Sequence, residues 1–430
     1  MIVASANSTL EILGCIFTNI AFQETVFDIG YSQKITLKNI SFINNTIMLN
    51  GITIHDGWSS IISMKSIKFV DNIVQLQLFQ FFQLFSLNQT KTNVLMMEDC
   101  LFARNQANDS LINIIQQNLI NIKIIRSNFT KNYNFSFGAV IVINTVANSG
   151  NLFAQASIED CLFDENNAKS SGSLGVIYLG NFGGNITIIR SNFSKNNLSR
   201  GAVIYLLSSL QNSALLIQDC LFVENNASDV GGAIGFDSVG GNITIMRSNF
   251  SKNFDLSSGA AICVLSSPQN SALLIQDCSF VENNASEYGG SIYLESIGGI
   301  ICVLISLQNS VLSIQDCSFV ENNARDIGGA IYLQSVGNIT MMRSNFSKNF
   351  DLTSGSAIYL LSSLQNSAFF IEDCIFFGNQ ANISGGAIYL EDLNGNIKLL
   401  RNNFTLNYAL SFGAAIYFNQ YCKLFFCEKN

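Results

Sequence analysis

Thirteen times along this 430-residue chain a Phe followed three residues later by an Asn recurs at a nearly constant interval. The Phe positions are 42, 69, 102, 129, 163, 193, 222, 250, 280, 319, 346, 376 and 404. The intervals run from 27 to 34 residues, apart from one of 39 between Phe280 and Phe319. A fixed period in this range belongs to solenoids, propellers or arrays, because each repeat can bury its apolar face only against a neighbour.

The repeat pairs two unequal halves. One reads SALLIQDCLFVENNASDVGGAIGFDSVGG (213–241) and the other NITIMRSNFSKNFDLSSGAAICVLSSPQN (242–270). Each half carries an apolar segment, the Phe-x-x-Asn corner, a Gly-Gly-Ala-Ile-like segment and a Gly/Ser/Asn turn. Short strands between turn clusters at regular spacing predict β-structure, and no half holds an uninterrupted helical period. The spacing predicts an all-β, single-stranded, right-handed parallel β-helix, one half per coil, as one array of 13–14 coils over residues 1–430. The parity of inward residues slips between Gln218 and Asp219, which places a bend there.

Stacking the halves produces two columns of alternating charge. Three residues before the Phe stand Asp99, Arg126, Asp160, Arg190, Asp219, Arg247, Asp277, Asp316, Arg343, Asp373 and Arg401. Two residues after it stand Glu165, Lys195, Glu224, Lys252, Glu282, Glu321 and Lys348. Coils about 4.8 Å apart would set opposite charges one above the other. The expectation is that Asp219 lies between Arg190 and Arg247, and Glu224 between Lys195 and Lys252. The 39-residue interval reads as a deletion of roughly 20 residues near 299–300. It would set Asp277 against Asp316 and Glu282 against Glu321, two like-charge contacts.

Hydrophobic residues make up 48% of the chain and charged residues 12%, which argues against disorder. A net charge of −8 without a basic cluster argues against nucleic acid as a partner. The apolar run 73–87 is too short for a bilayer span and carries four Gln, so it reads as coil strand. No basic n-region with an apolar core follows Met1, and both ends fall within a repeat, as in a fragment of a longer protein.

Six of the eleven Cys, at 100, 161, 220, 278, 317 and 374, share one column, interleaved with Ser127, Ser191, Ser248 and Ser344. Cys two coils apart lie beyond the roughly 7 Å reach of a disulfide, so the column reads as small buried hydrophobes. Cys278 and Cys317 are adjacent if the deletion is real. Asn128, Asn192, Asn249, Asn345 and Asn403 before the Phe, with Asn226 and Asn284 after it, are candidate N-glycosylation acceptors on a secreted chain.

The pattern offers no constellation for catalysis, metal or cofactor. Acids fall one per column position instead of in facing pairs, and P-loop, dinucleotide, EF-hand and nucleophile-elbow motifs are missing from the sequence. The one His, His55, stands beside Asp56 and Trp58 and reads as a turn residue. A candidate binding stripe follows the Ile of the Gly-Gly-Ala-Ile strand: Tyr178, Tyr205, Tyr293, Tyr332, Tyr359, Tyr389 and Tyr417, interrupted by Gly235 and Cys263. Parity points these rings outward, where they would either stack on sugars or stack on one another.

FVEN at 222–225 with GGAI at 231–234 recurs as FVEN at 319–322 with GGAI at 328–331. It recurs again as FFGN at 376–379 with GGAI at 385–388. This pairing resembles the repeats of the chlamydial polymorphic outer membrane proteins and the related pectin-lyase-like β-helix proteins of protists. The resemblance covers nearly the whole chain. It implies an adhesin-like surface protein, although the bacterial members are exported by a C-terminal β-barrel that has no counterpart here. No catalytic residue carries over. The expected function is a non-catalytic cell-surface or secreted β-helix with a structural, adhesive or binding role, meeting carbohydrate or a cell-surface protein. It would be extracellular, or anchored through a flanking segment. The rivals are a polysaccharide-active β-helix enzyme with its site elsewhere, and an intracellular scaffold.

Overall fold

The computed structural model describes residues 9–30, 34–56, 61–83, 93–116, 120–133, 135, 139–145, 154–168, 175–199, 202–209, 213–228, 230–265, 271–295, 311–363, 367–393 and 396–419. The deletion point near 299–300, residues 84–87 of the apolar run, and Trp58 lie outside them. The described residues form a right-handed parallel β-helix with no helix among them. The chain divides into two compact units, 1–213 and 214–430.

A coil of the C-terminal unit shows the construction. Ala272–Gln276 is the first strand, Ser279–Val281 carries Phe280, Asn284–Ala285 is a two-residue third strand, and Ile292–Glu295 is the fourth. Each pairs in parallel with its equivalent one coil on, for example Leu273 with Leu312 and Phe280 with Phe319. In this unit the first strands run from Ala214–Gln218 to Asn396–Leu400. In the N-terminal unit they run from Thr9–Leu13 to Gly184–Ile189. Residues 73–83 supply coil strands, Ile73–Val74 and Phe79–Gln83.

The bend expected after Gln218 is present: Asp219 has φ 55°. A second bend, two residues after the Phe, escaped the parity argument, and Glu224 there also has φ 55°. Both charge columns thus occupy left-handed backbone, which Asp and Asn tolerate better than other L-residues do. Between the bends the Phe points inward. In the C-terminal unit the rings stack at 4.7–4.9 Å, and the 39-residue interval leaves Phe280 and Phe319 at 4.7 Å and nearly coplanar. In the N-terminal unit Phe17 joins the stack, 4.9 Å from Phe42. The motif missed it because Ile20 stands where the Asn would be.

The Asn of the motif points inward as well. Asn253, Asn283, Asn322 and Asn349 are fully buried. Each side-chain oxygen accepts from the backbone N–H and the side-chain amide of the Asn one coil earlier. For Asn283 these distances are 3.1 and 3.0 Å. Its own amide donates to Asn322 Oδ1 at 3.1 Å and to the carbonyl of Phe250 at 2.9 Å. A buried polar column is tolerable because every member is satisfied.

Two residues past this Asn, where most coils have Ala, Asp255 and Asp351 are fully buried. Asp351 accepts from the N–H groups of Thr353 (2.8 Å) and Gly328 (3.2 Å). Burial pushes its carboxyl up to about 8 in spite of those donors. The protonated form is favoured in the fold, so its contribution is complete below the ordinary carboxyl value. It is lost as pH rises through about 8. Thermal melts should therefore show stability falling between those limits. Asp351→Ala, which restores the residue found at 324 and 381, should flatten the slope; an unchanged slope would show that Asp351 does not titrate in this window.

Candidate functional site

The left-handed bends carry the charges outward, and there the two ladders form. Arg126 Nε lies 2.8 Å from Asp99, Arg190 2.7 Å from Asp160 and Arg247 2.7 Å from Asp219. Arg343 pairs with Asp316 at 2.7 Å and Arg401 with Asp373 at 2.8 Å. Several of these forks are two-pronged, as with Arg190 Nε and Nη2 on the two oxygens of Asp160. The guanidinium beside each carboxyl holds Asp99, Asp160, Asp316 and Asp373 below the usual carboxylate range.

The expected contact of Arg247 with Asp219 is present, and among the pairs within each unit the Arg side chains share one direction. Each of these Arg reaches back to the Asp of the coil before it; Asp160 is hydrogen-bonded to Arg190, and Arg126 adds only a weaker electrostatic pull. In the second column Lys252 reaches Glu282 at 3.7 Å instead of Glu224, and Lys348 reaches Glu321 at 3.1 Å. Asp277 is followed by Asp316, whose Arg is Arg343, so among the described residues Asp277 has no ion pair. Arg247→Asp should lower the melting temperature slightly, and more at low salt. Adding Asp277→Arg supplies a guanidinium one coil on, which should reach back and recover the loss. A double variant as unstable as the single one at low salt would refute this directional pairing.

The tyrosine column is not an open platform. Tyr178, Tyr293, Tyr332, Tyr359 and Tyr389 are 5–9% exposed. Tyr293, Tyr332, Tyr359, Tyr389 and Tyr417 stack on one another at 4.6–5.6 Å, while Tyr178 and Tyr205 meet tilted at 6.1 Å. Outward parity holds, but the Gly-rich turn doubles back over the rings. A Cβ on Gly355 would stand 3.0 Å from those of Tyr359 and Tyr389, and the Tyr288 ring lies 5.3 Å from that of Tyr332. Rings stacked face to face leave no face for a sugar. What the column offers is its hydroxyl edge: Tyr359 donates to Glu391 at 2.7 Å, and Asn419 donates to Tyr389 at 3.1 Å and to Glu391 at 2.8 Å.

The six column cysteines are free and buried. Burial raises the thiol of Cys100 to about 11 and that of Cys161 to about 12, so neither is a ready nucleophile. His55 Nε2 lies 3.0 Å from Asp28 in the preceding coil, both about one-third exposed. No cluster of three metal-ligating side chains occurs among the described residues. Of the sequon asparagines, Asn128, Asn226, Asn284 and Asn403 are exposed, whereas Asn192, Asn249 and Asn345 are half-buried. No helix among the described residues is long and apolar enough to cross a membrane.

These ladders define a class, a parallel β-helix built from Phe-x-x-Asn and Gly-Gly-Ala-Ile repeats. Residues 373–391, which hold the FFGN and GGAI of one coil, match the family described as Chlamydia polymorphic membrane protein (Chlamydia_PMP) repeat. This segment is thus similar to a repeat of polymorphic membrane proteins. No curated protein and no solved structure matches the chain.

Proposed function

We propose that this chain is a non-catalytic β-helix displayed at the cell surface or secreted, with a structural or adhesive role. The observation that carries the reading is the use made of its ionisable side chains. The Asp of the first ladder in five coils are bonded to an Arg of the next coil, and the column cysteines lie buried. Such a chain uses its chemistry in stacking, and what each unit presents is a regular, weakly charged surface. The polymorphic membrane protein repeat at 373–391 supports surface display. A carbohydrate partner would have to meet the hydroxyl edge of the Tyr column, so a cell-surface protein is the favoured partner.

The test is antibody labelling of intact and permeabilised cells, together with blocking of cell adhesion by the purified chain. Labelling of intact cells and inhibition of adhesion are expected. Signal only after permeabilisation would sink surface display, and release of reducing ends from polysaccharide would sink the non-catalytic role. If the chain passes through a glycosylating pathway, glycosidase should remove mass from peptides carrying Asn128, Asn226, Asn284 and Asn403 before the half-buried sites.

A further inference from the structure

We propose that Cys278 and Cys317 are a peroxide-responsive thiol pair that closes into a disulfide and staples two successive coils. This goes beyond the structural reading and does not depend on it. Elsewhere in the C-terminal unit the column alternates. Cys220 is followed by Ser248, whose Oγ accepts from the Cys220 N–H at 3.2 Å, and Cys317 is followed by Ser344 in the same way. Between Cys278 and Cys317 no Ser coil intervenes. The strands that follow them pair in parallel with Ser279 opposite Ser318, and the N–H of Ser318 donates to the carbonyl of Cys278 at 2.9 Å.

In-register neighbours in a parallel sheet stand about 4.8 Å apart, inside the Cα range of about 4.4–6.8 Å that a disulfide spans. Both side chains point the same way from the sheet, because the strands that follow them run in register. Each thiol donates to a backbone carbonyl, Cys278 to that of Gln276 at 3.2 Å and Cys317 to that of Gln315 at 3.1 Å. The two sulfurs are equivalent neighbours in the column, so Cys278 can attack with Cys317 resolving.

Both residues are 3% exposed, and Asp277 and Asp316 stand beside them. Burial and negative charge favour a small neutral oxidant, hydrogen peroxide, over an anionic disulfide. The Cys278 thiolate attacks one peroxide oxygen; the S–O bond forms as the O–O bond breaks, and the departing hydroxide takes a proton to become water. The sulfur of Cys317 then attacks the sulfenic acid; S–S forms, S–O breaks, and the hydroxyl leaves with the Cys317 proton as a second water. Two thiols lose two electrons and two protons, and one peroxide becomes two waters.

The experiment uses the full chain purified reduced, exposed to hydrogen peroxide or to glutathione disulfide, unfolded in N-ethylmaleimide and mapped by peptide mass spectrometry without reductant. Peroxide should give one dominant cross-link joining Cys278 to Cys317, abolished by dithiothreitol, with little from glutathione disulfide. The bridge closes the same 39-residue interval that separates Asn283 from Asn322, so the melting temperature should rise by several degrees. Cys278→Ser places Ser where Ser248 and Ser344 stand in other coils; it should fold and lose both the cross-link and the shift. Full alkylation of both residues after peroxide, or equal cross-linking among the other column cysteines, would overturn the proposal. The mapping is done on the unaltered chain, so it decides the matter even if a variant fails to fold.

Discussion

Replacing Asn283 by Leu is expected to destabilise the C-terminal unit by about 3–5 kcal/mol, although the side chains are nearly equal in size. The loss comes from what remains behind. The backbone N–H and amide of Asn253 both donate to Asn283 Oδ1, and the carbonyl of Phe250 accepts from its amide. Leucine would leave both Asn253 donors in a dry interior without a partner and would take one donor from the Phe250 carbonyl. Asn284 is the control: it is exposed, and Asn284→Leu should change stability by less than about 0.5 kcal/mol. Denaturant unfolding followed by β circular dichroism measures both. Equal, small losses would mean that the ladder is not what holds the coils in register.

The second large effect is expected at Gly329. Its φ is not in the left-handed region, yet a Cβ there would stand 2.4 Å from the Phe350 carbonyl oxygen and 2.5 Å from that of Ser356, both in the next coil. Backbone on two sides would have to move, so Gly329→Ala should cost more than about 4 kcal/mol. Gly378 makes the comparison. It does lie in the left-handed region (φ 63°), but a Cβ there meets only the flexible Lys348 side chain, at 3.8 Å. Gly378→Ala should cost about 1–2 kcal/mol, the conformational strain alone. If the order were reversed, close coil-to-coil approach would not be the reason for the second Gly of the Gly-Gly-Ala-Ile motif. In alternate coils that position is Ala260 or Ser356, so the approach is tight in only one half of the long repeat.

Much of this architecture was legible in the residues because a solenoid converts sequence period directly into space. The Phe interval set the coil, the parity slip at Asp219 set the first bend, and the sign alternation set which residues face one another. Those inferences need only neighbour-to-neighbour stacking. The second bend at Glu224 was harder to see, since no inward residue changes parity clearly across it. The burial of the motif Asn was missed because an Asn beside turn residues reads equally well as a solvent-facing corner. Only the closed chain of amide bonds from Asn253 to Asn283 to Asn322 makes its burial tolerable.

The tyrosines mark the boundary between the two kinds of information. Alternation along Ile331, Tyr332 and Leu333 correctly put the ring on the outer side of its strand. Whether that outer side meets water depends on where the Gly-rich turn of the same coil travels, and a period of two carries no record of that path. The turn returns over the rings and covers them. The direction of the ladder pairs was likewise decided in three dimensions: the order of signs is the same read either way, but left-handed backbone at Arg247 aims its side chain at Asp219. By itself, then, the sequence determined the coil, its register and its charge order, because each is a relation between equivalent positions one period apart. Tertiary structure decided exposure and pairing direction, because these depend on the path of the turns and the tilt of the bends between those positions.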